Sequence, residues 1–129
     1  MKTNQLTIHI NKPVNQVFAF TITPPNSTKW IPNIIKEETD QWPIRVGTVY
    51  KLQDKSGSYS QVTVVSIEEN QHIEWISADH IYHCRYTYQP INENATELEY
   101  SEWVNQGKIE SPFTTEVLVK LKSVIENQN

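Results

Sequence analysis

Apolar and polar residues alternate at the start of the chain. Leu6, Ile8 and Ile10 fall on one side, Thr7 and His9 on the other. A period of two marks a half-buried strand. Asn11 then offers a helix N-cap with Pro13 in the first turn, and Val14, Val17, Phe18 and Ile22 follow at helical spacing. This predicts a short amphipathic helix that ends at Pro24-Pro25, because a residue before proline avoids the helical region. Residues 26–30 predict one more helical turn before Pro32 breaks the chain.

Six strands are expected next. Their ranges are 34–39, 48–52 (after Gly47), 59–67, 72–77, 81–89 and 96–104, with turn chemistry between them, as at Asp54-Lys55-Ser56-Gly57. Ser111 followed by Pro112 is a helix start signal. Phe113, Val117, Leu121, Val124 and Ile125 fall on one stripe, widened by Leu118, which predicts a final helix over 111–127. Consecutive strands joined by short turns imply an antiparallel meander. The helix stripe needs a sheet face to cover it. The expectation is therefore a single α+β domain over residues 1–129: a curved antiparallel sheet of six to seven strands around a C-terminal helix, with one or two short helices after the first strand. A sheet curled around a helix leaves a gap, and that gap is a natural pocket.

Composition narrows the function. The chain has 129 residues and a net charge of −4, with lysines and arginines scattered. Duplex binding calls for a basic face, so nucleic acid is not an expected partner. No stretch reaches the roughly 18 apolar residues of a membrane span. The N-terminal residues lack an apolar signal-peptide core. Cys84 is the single cysteine, so no intrachain disulfide and no cysteine-based zinc cluster can form. A cytoplasmic location is the expectation. Four Trp, six Tyr and three Phe supply large side chains that bury a ring and keep a polar handle, as a pocket wall requires.

Three stretches carry a resemblance. Residues 6–20 read as strand, proline and helix with Val17-Phe18. Residues 28–34 contain Trp30-Ile31-Pro32, and residues 46–50 read Val46-Gly47-Thr48 at a strand start. In this order they resemble the START-like, Bet v 1-like superfamily, the polyketide cyclase/dehydrase and lipid-transport group. The resemblance implies a helix-grip fold. It also implies one of three functions: binding of an apolar or aromatic small molecule, a cyclase- or dehydrase-like reaction using one acid or base, or an interaction module of the Hsp90 co-chaperone-like branch. A homodimer is compatible with all three. The final helix looks short for the group, and Asn94-Ala95-Thr96 stands where a Gly-Thr pair is common.

For the ligand wall the candidates are Trp30, Tyr50, Trp75, Tyr86, Tyr100 and Trp103. Core packing is the competing reading of every one of them. Parity puts Tyr82, Cys84, Tyr86 and Tyr88 on one strand face. For acid–base work, Glu102 and His83 are the candidates, with Arg85, Glu74 and His72 behind them. Glu102 shares parity with Leu98 and Tyr100; if buried, it needs a cation or an amide, and a solvated position is the commoner alternative. Within 79–84, His80 and His83 diverge along a strand, so no metal site is expected and no cofactor is called for. Cys84 reads as a buried structural thiol. The pairs Glu37-Glu38 and Glu68-Glu69 read as solvated sheet edges.

Overall fold

The computed structural model describes residues 2–128. Strand β1 (Lys2–Ile10) leads into helix α1 (Val14–Ile22) and a 3-10 turn (Asn26–Lys29). Six strands follow: β2 (Ile34–Thr39), β3 (Val49–Asp54), β4 (Tyr59–Glu68), β5 (His72–Ser77), β6 (Tyr82–Asn92) and β7 (Ala95–Val104). Helix α2 (Thr115–Glu126) ends the fold. All seven strands form one antiparallel sheet in the order β1-β7-β6-β5-β4-β3-β2. The chain thus has the expected α+β, helix-grip architecture.

Helix α2 lies over the concave face and buries Leu118, Leu121 and Ile125. Ile10, Val64, Ile73, Leu98 and a set of buried aromatics from the sheet belong to the same core. Every second residue of β7 faces in: Leu98, Tyr100, Glu102 and Val104 are each 3% exposed or less. This is the period-two rule at work on the central strands.

Two helix boundaries differ from expectation. Pro13 itself caps α1, with Gln16 and Val17 donating to its carbonyl, so Asn11 lies outside. Thr114, not Ser111, caps α2, and its hydroxyl accepts from the Val117 N–H. Ser111 has φ +50, outside helical space, and the Phe113 N–H is spent on Glu102 across the sheet. A long-range bond thereby holds residues 111–113 out of the helix. Pro90, expected in a turn, lies within β6 next to a register shift between Pro90 and Asn92.

Two further register shifts change which side chains face inward. One lies between Val64 and Ser66 in β4, the other between Ile34 and Lys36 in β2. An extra residue in one strand reverses the parity beyond it. In β2, Ile35 is pushed outward at 52% exposure, and both Ile34 and Glu37 turn toward the interior.

Candidate functional site

Between the sheet and the helical layer lies a chamber of about 160 Å³. Its wall comes from nearly every element. Strands β3 to β7 supply Tyr50, Leu52, Val62, Trp75, Tyr82, Cys84, Tyr86 and Tyr100. Thr21, Ser27, Ile31, Ile34, Glu37 and Phe113 complete it. The aromatic side chains form a connected chain of edge-on contacts, Tyr50 to Trp75 at 5.5 Å and Trp75 to Tyr86 at 5.3 Å between ring centres. Tyr86 meets Tyr100 at 5.4 Å, and Phe113 stacks on Tyr100 at 4.3 Å. Edge-to-face and offset arrangements of this kind are the favoured geometries for aromatic pairs.

Ile31, Ile34, Tyr82 and Phe113 also line a wider outer vestibule of about 830 Å³, so these four form the throat between the two spaces. The vestibule is more polar. Asp54, Asp79, Lys108 and Glu110 lie on it.

Glu102 sits beside the throat at 1% exposure. One carboxylate oxygen accepts from the hydroxyls of Tyr82 and Tyr100, the other from the Asn4 amide at 2.8 Å and the Phe113 N–H at 2.8 Å. Asn4 pairs with Glu102 in the β1–β7 ladder, which explains how the amide arrives there. The expected amide partner is present, and all four acceptor positions of the carboxylate are occupied. Asn4 also donates to the Phe113 carbonyl, so this knot ties the chain entering α2 to three strands.

A second carboxyl faces the chamber itself. Glu37 is 8% exposed and accepts from the Ser27 N–H at 3.2 Å and the Ser27 hydroxyl at 2.7 Å. Burial raises its pKa, and the two Ser27 bonds pull it back in part. The reading of Glu37 as a solvated edge residue is therefore corrected; Glu38 beside it is exposed, as are Glu68 and Glu69. Sequence parity could not show this, because the β2 register shift reverses it.

Of the wall candidates, Tyr50, Trp75, Tyr86 and Tyr100 line the chamber. Trp30 packs behind it, edge-on to Phe113 at 5.8 Å and beside Tyr86 at 6.3 Å. Trp103 is a correction. It stacks on His83 at 5.1 Å, paired with it across β6 and β7, and faces the opposite side of the sheet from Tyr100 and Glu102. Neighbours in a strand point to opposite faces, so Glu102 inward requires Trp103 outward. The same rule removes His83 from the chamber. Glu74 and Arg85 form an ion pair at 2.9 Å, and His72 bonds Ser66. Cys84 lines the chamber, but burial first, and the carboxylates of Glu102 and Glu74 after it, push its thiol pKa up, away from a nucleophilic thiolate.

Several comparisons bear on this arrangement. A family model described as polyketide cyclase / dehydrase and lipid transport matches residues 1–128, and the chain belongs to that family. No curated protein matches it significantly in sequence. The fold is similar to the protein XoxI from Bacillus cereus, at TM-score 0.77 and 11% identity over 98% of this chain and 97% of that one. It is similar to the Aha1 dimer from Colwellia psychrerythraea, at TM-score 0.72 and 15% identity over 98% of both chains. It also resembles norcoclaurine synthase from Thalictrum flavum, solved in complex with dopamine and hydroxybenzaldehyde, at TM-score 0.68 and 15% identity over 97% of this chain and 84% of that one. Among the described residues, no helix is long and apolar enough to cross a membrane.

Proposed function

We propose that the protein binds an apolar, ring-bearing small molecule in the chamber between the sheet and the segments that carry Thr21, Ser27, Ile31 and Phe113; α2, expected to cover the pocket, contributes no side chain to its wall. The observation that carries this is the space of about 160 Å³ walled largely by aromatic rings. Apolar wall left facing water is unfavourable, and an occupant that covers it offsets that cost. Engineered apolar cavities of about 150 Å³ take up benzene, so the chamber suits one ring, with any longer substituent passing the throat into the vestibule.

The test is displacement of a fluorescent apolar probe by monocyclic aromatics, fatty acids and sterols. Saturable binding at one site, displaced first by the monocyclic compounds, is expected. A folded protein that binds none of them overturns the reading. The same reading includes a cytoplasmic location, in keeping with the single thiol.

A second reading, catalysis of a proton transfer, draws its support from Glu37. It is a carboxyl on the chamber wall whose raised pKa suits acid–base exchange, a role that His83 on the far face does not fill. The interaction-module reading rests on Trp42 and Val46, 59% and 60% exposed.

A further inference from the structure

Two polar groups on the chamber wall are left with unused hydrogen-bonding capacity. Glu37 accepts two bonds, both from Ser27, which leaves two of its four acceptor positions open. The Tyr86 hydroxyl makes no hydrogen bond among the described residues, although Tyr86 is only 5% exposed. Unlike the indole N–H groups of Trp30 and Trp75, it is not sealed against protein atoms, and its residue lines the chamber. The other interior hydroxyls have partners: Tyr50 donates to the Ile22 carbonyl, Tyr88 pairs with Thr21, and Tyr82 and Tyr100 serve Glu102. A native interior rarely leaves such groups without a partner, so each open group calls for an explanation.

Building on the chamber reading, we propose that the occupant carries a hydroxyl on its ring, with the O–H donating to Glu37 and the oxygen accepting from Tyr86. The choice of a hydroxyl follows from what the wall offers. One open position is an acceptor and the other a donor. A hydroxyl answers both, whereas an ammonium has no lone pair for Tyr86 and an ether or carbonyl has no proton for Glu37. Water also answers both, but each molecule takes up only about 30 Å³ of liquid, so the remaining ring-lined space would stay empty. A phenol or a cyclic alcohol fills the space and meets both groups. The apolar rings of Tyr50 and Trp75 take the hydrocarbon part.

The experiment is an NMR titration of the isotope-labelled protein with three matched probes. Toluene has no polar group, 4-methylanisole has an acceptor only, and p-cresol has donor and acceptor together. A hydrogen bond to a charged or strongly polar buried group is worth a factor of about ten or more in affinity. The expected result is p-cresol binding about tenfold tighter than toluene, with 4-methylanisole, which can accept from Tyr86 but has no proton for Glu37, falling between them. Tyr86→Phe should cut the p-cresol advantage over toluene severalfold. Glu37→Gln should weaken p-cresol by a smaller factor, since the amide oxygen still accepts. The wild-type series stands by itself if either variant fails to fold. Equal affinities for toluene and p-cresol overturn the hydroxyl proposal and leave the chamber reading intact. An undiminished p-cresol advantage in folded Tyr86→Phe likewise overturns it. Absence of binding by all three overturns the chamber reading and this proposal together.

Discussion

Two carboxyls lie in the interior of this protein, Glu102 by the throat and Glu37 on the chamber wall, and they differ in how completely they are satisfied. Glu102 takes four donors from β1, β6, β7 and the segment before α2. Glu37 takes two, both from Ser27. Neither has a salt-bridge partner among the described residues, where the ion pairs are Arg85–Glu74 and Lys122–Glu126. A saturated carboxylate has nothing left for a ligand and acts as a clamp. A half-satisfied one on a cavity wall keeps capacity for whatever enters. Burial alone does not separate these two acids; the count of filled acceptor positions does.

The largest effect belongs to the clamp. Glu102→Ala strands the Asn4 amide, the Phe113 N–H and two tyrosine hydroxyls in a buried site. A loss of at least about 3 kcal/mol is expected from urea unfolding, together with loosening of the chain entering α2. A loss below about 1 kcal/mol would mean that water replaces the carboxylate, and the contrast with Glu37 would fail. Ser27→Ala comes next. It removes one donor from Glu37 at a cost of about 1 kcal/mol, and the carboxyl's titration, followed by carbon NMR, should move upward because that hydroxyl lowers its pKa. A downward move would contradict the assignment.

The smallest change is Glu37→Gln, and it is read from pH dependence. Burial lifts the folded pKa of Glu37 above the ordinary 4.5. A carboxyl raised in this way binds its proton more tightly when folded. Its contribution is fully present below the unfolded pKa and is lost as pH rises through the folded value. The glutamine cannot ionise, and it can still accept from the Ser27 N–H while the hydroxyl turns to suit it. Wild type and variant should therefore have nearly equal stability at about pH 4, and the variant should be the more stable at about pH 7. A difference independent of pH would show that Glu37 is not titrating in the interior.

Much of the frame was legible in the sequence because the central strands are regular. Alternation along 82–88 and 98–104 grouped Tyr82, Cys84, Tyr86 and Tyr88 on one strand face and Glu102 with Leu98 and Tyr100; the structure makes these the inner face, which overturns the commoner expectation of a solvated Glu102. The same alternation, applied one residue further, excludes Trp103 and His83 from the chamber, so their place among the candidates was a choice the strand period already opposed. Glu37 was beyond such reasoning. Its direction depends on one extra residue between Ile34 and Lys36, and nothing in a run of Ile, Lys and Glu announces where a ladder will slip.

Local sequence thus determined the period of each strand, the turns between them and the amphipathic stripe of α2, because these follow from dihedral preference and side-chain spacing within a few residues. Three things were decided only by contacts between distant segments. Glu102 holds Phe113 and delays the start of α2 to Thr115. The β2 bulge turns Glu37 inward. Rings from strands far apart in sequence brace one another around a space that none of them fills. A cavity is a property of what neighbouring elements leave empty, and no single stretch of chain encodes it.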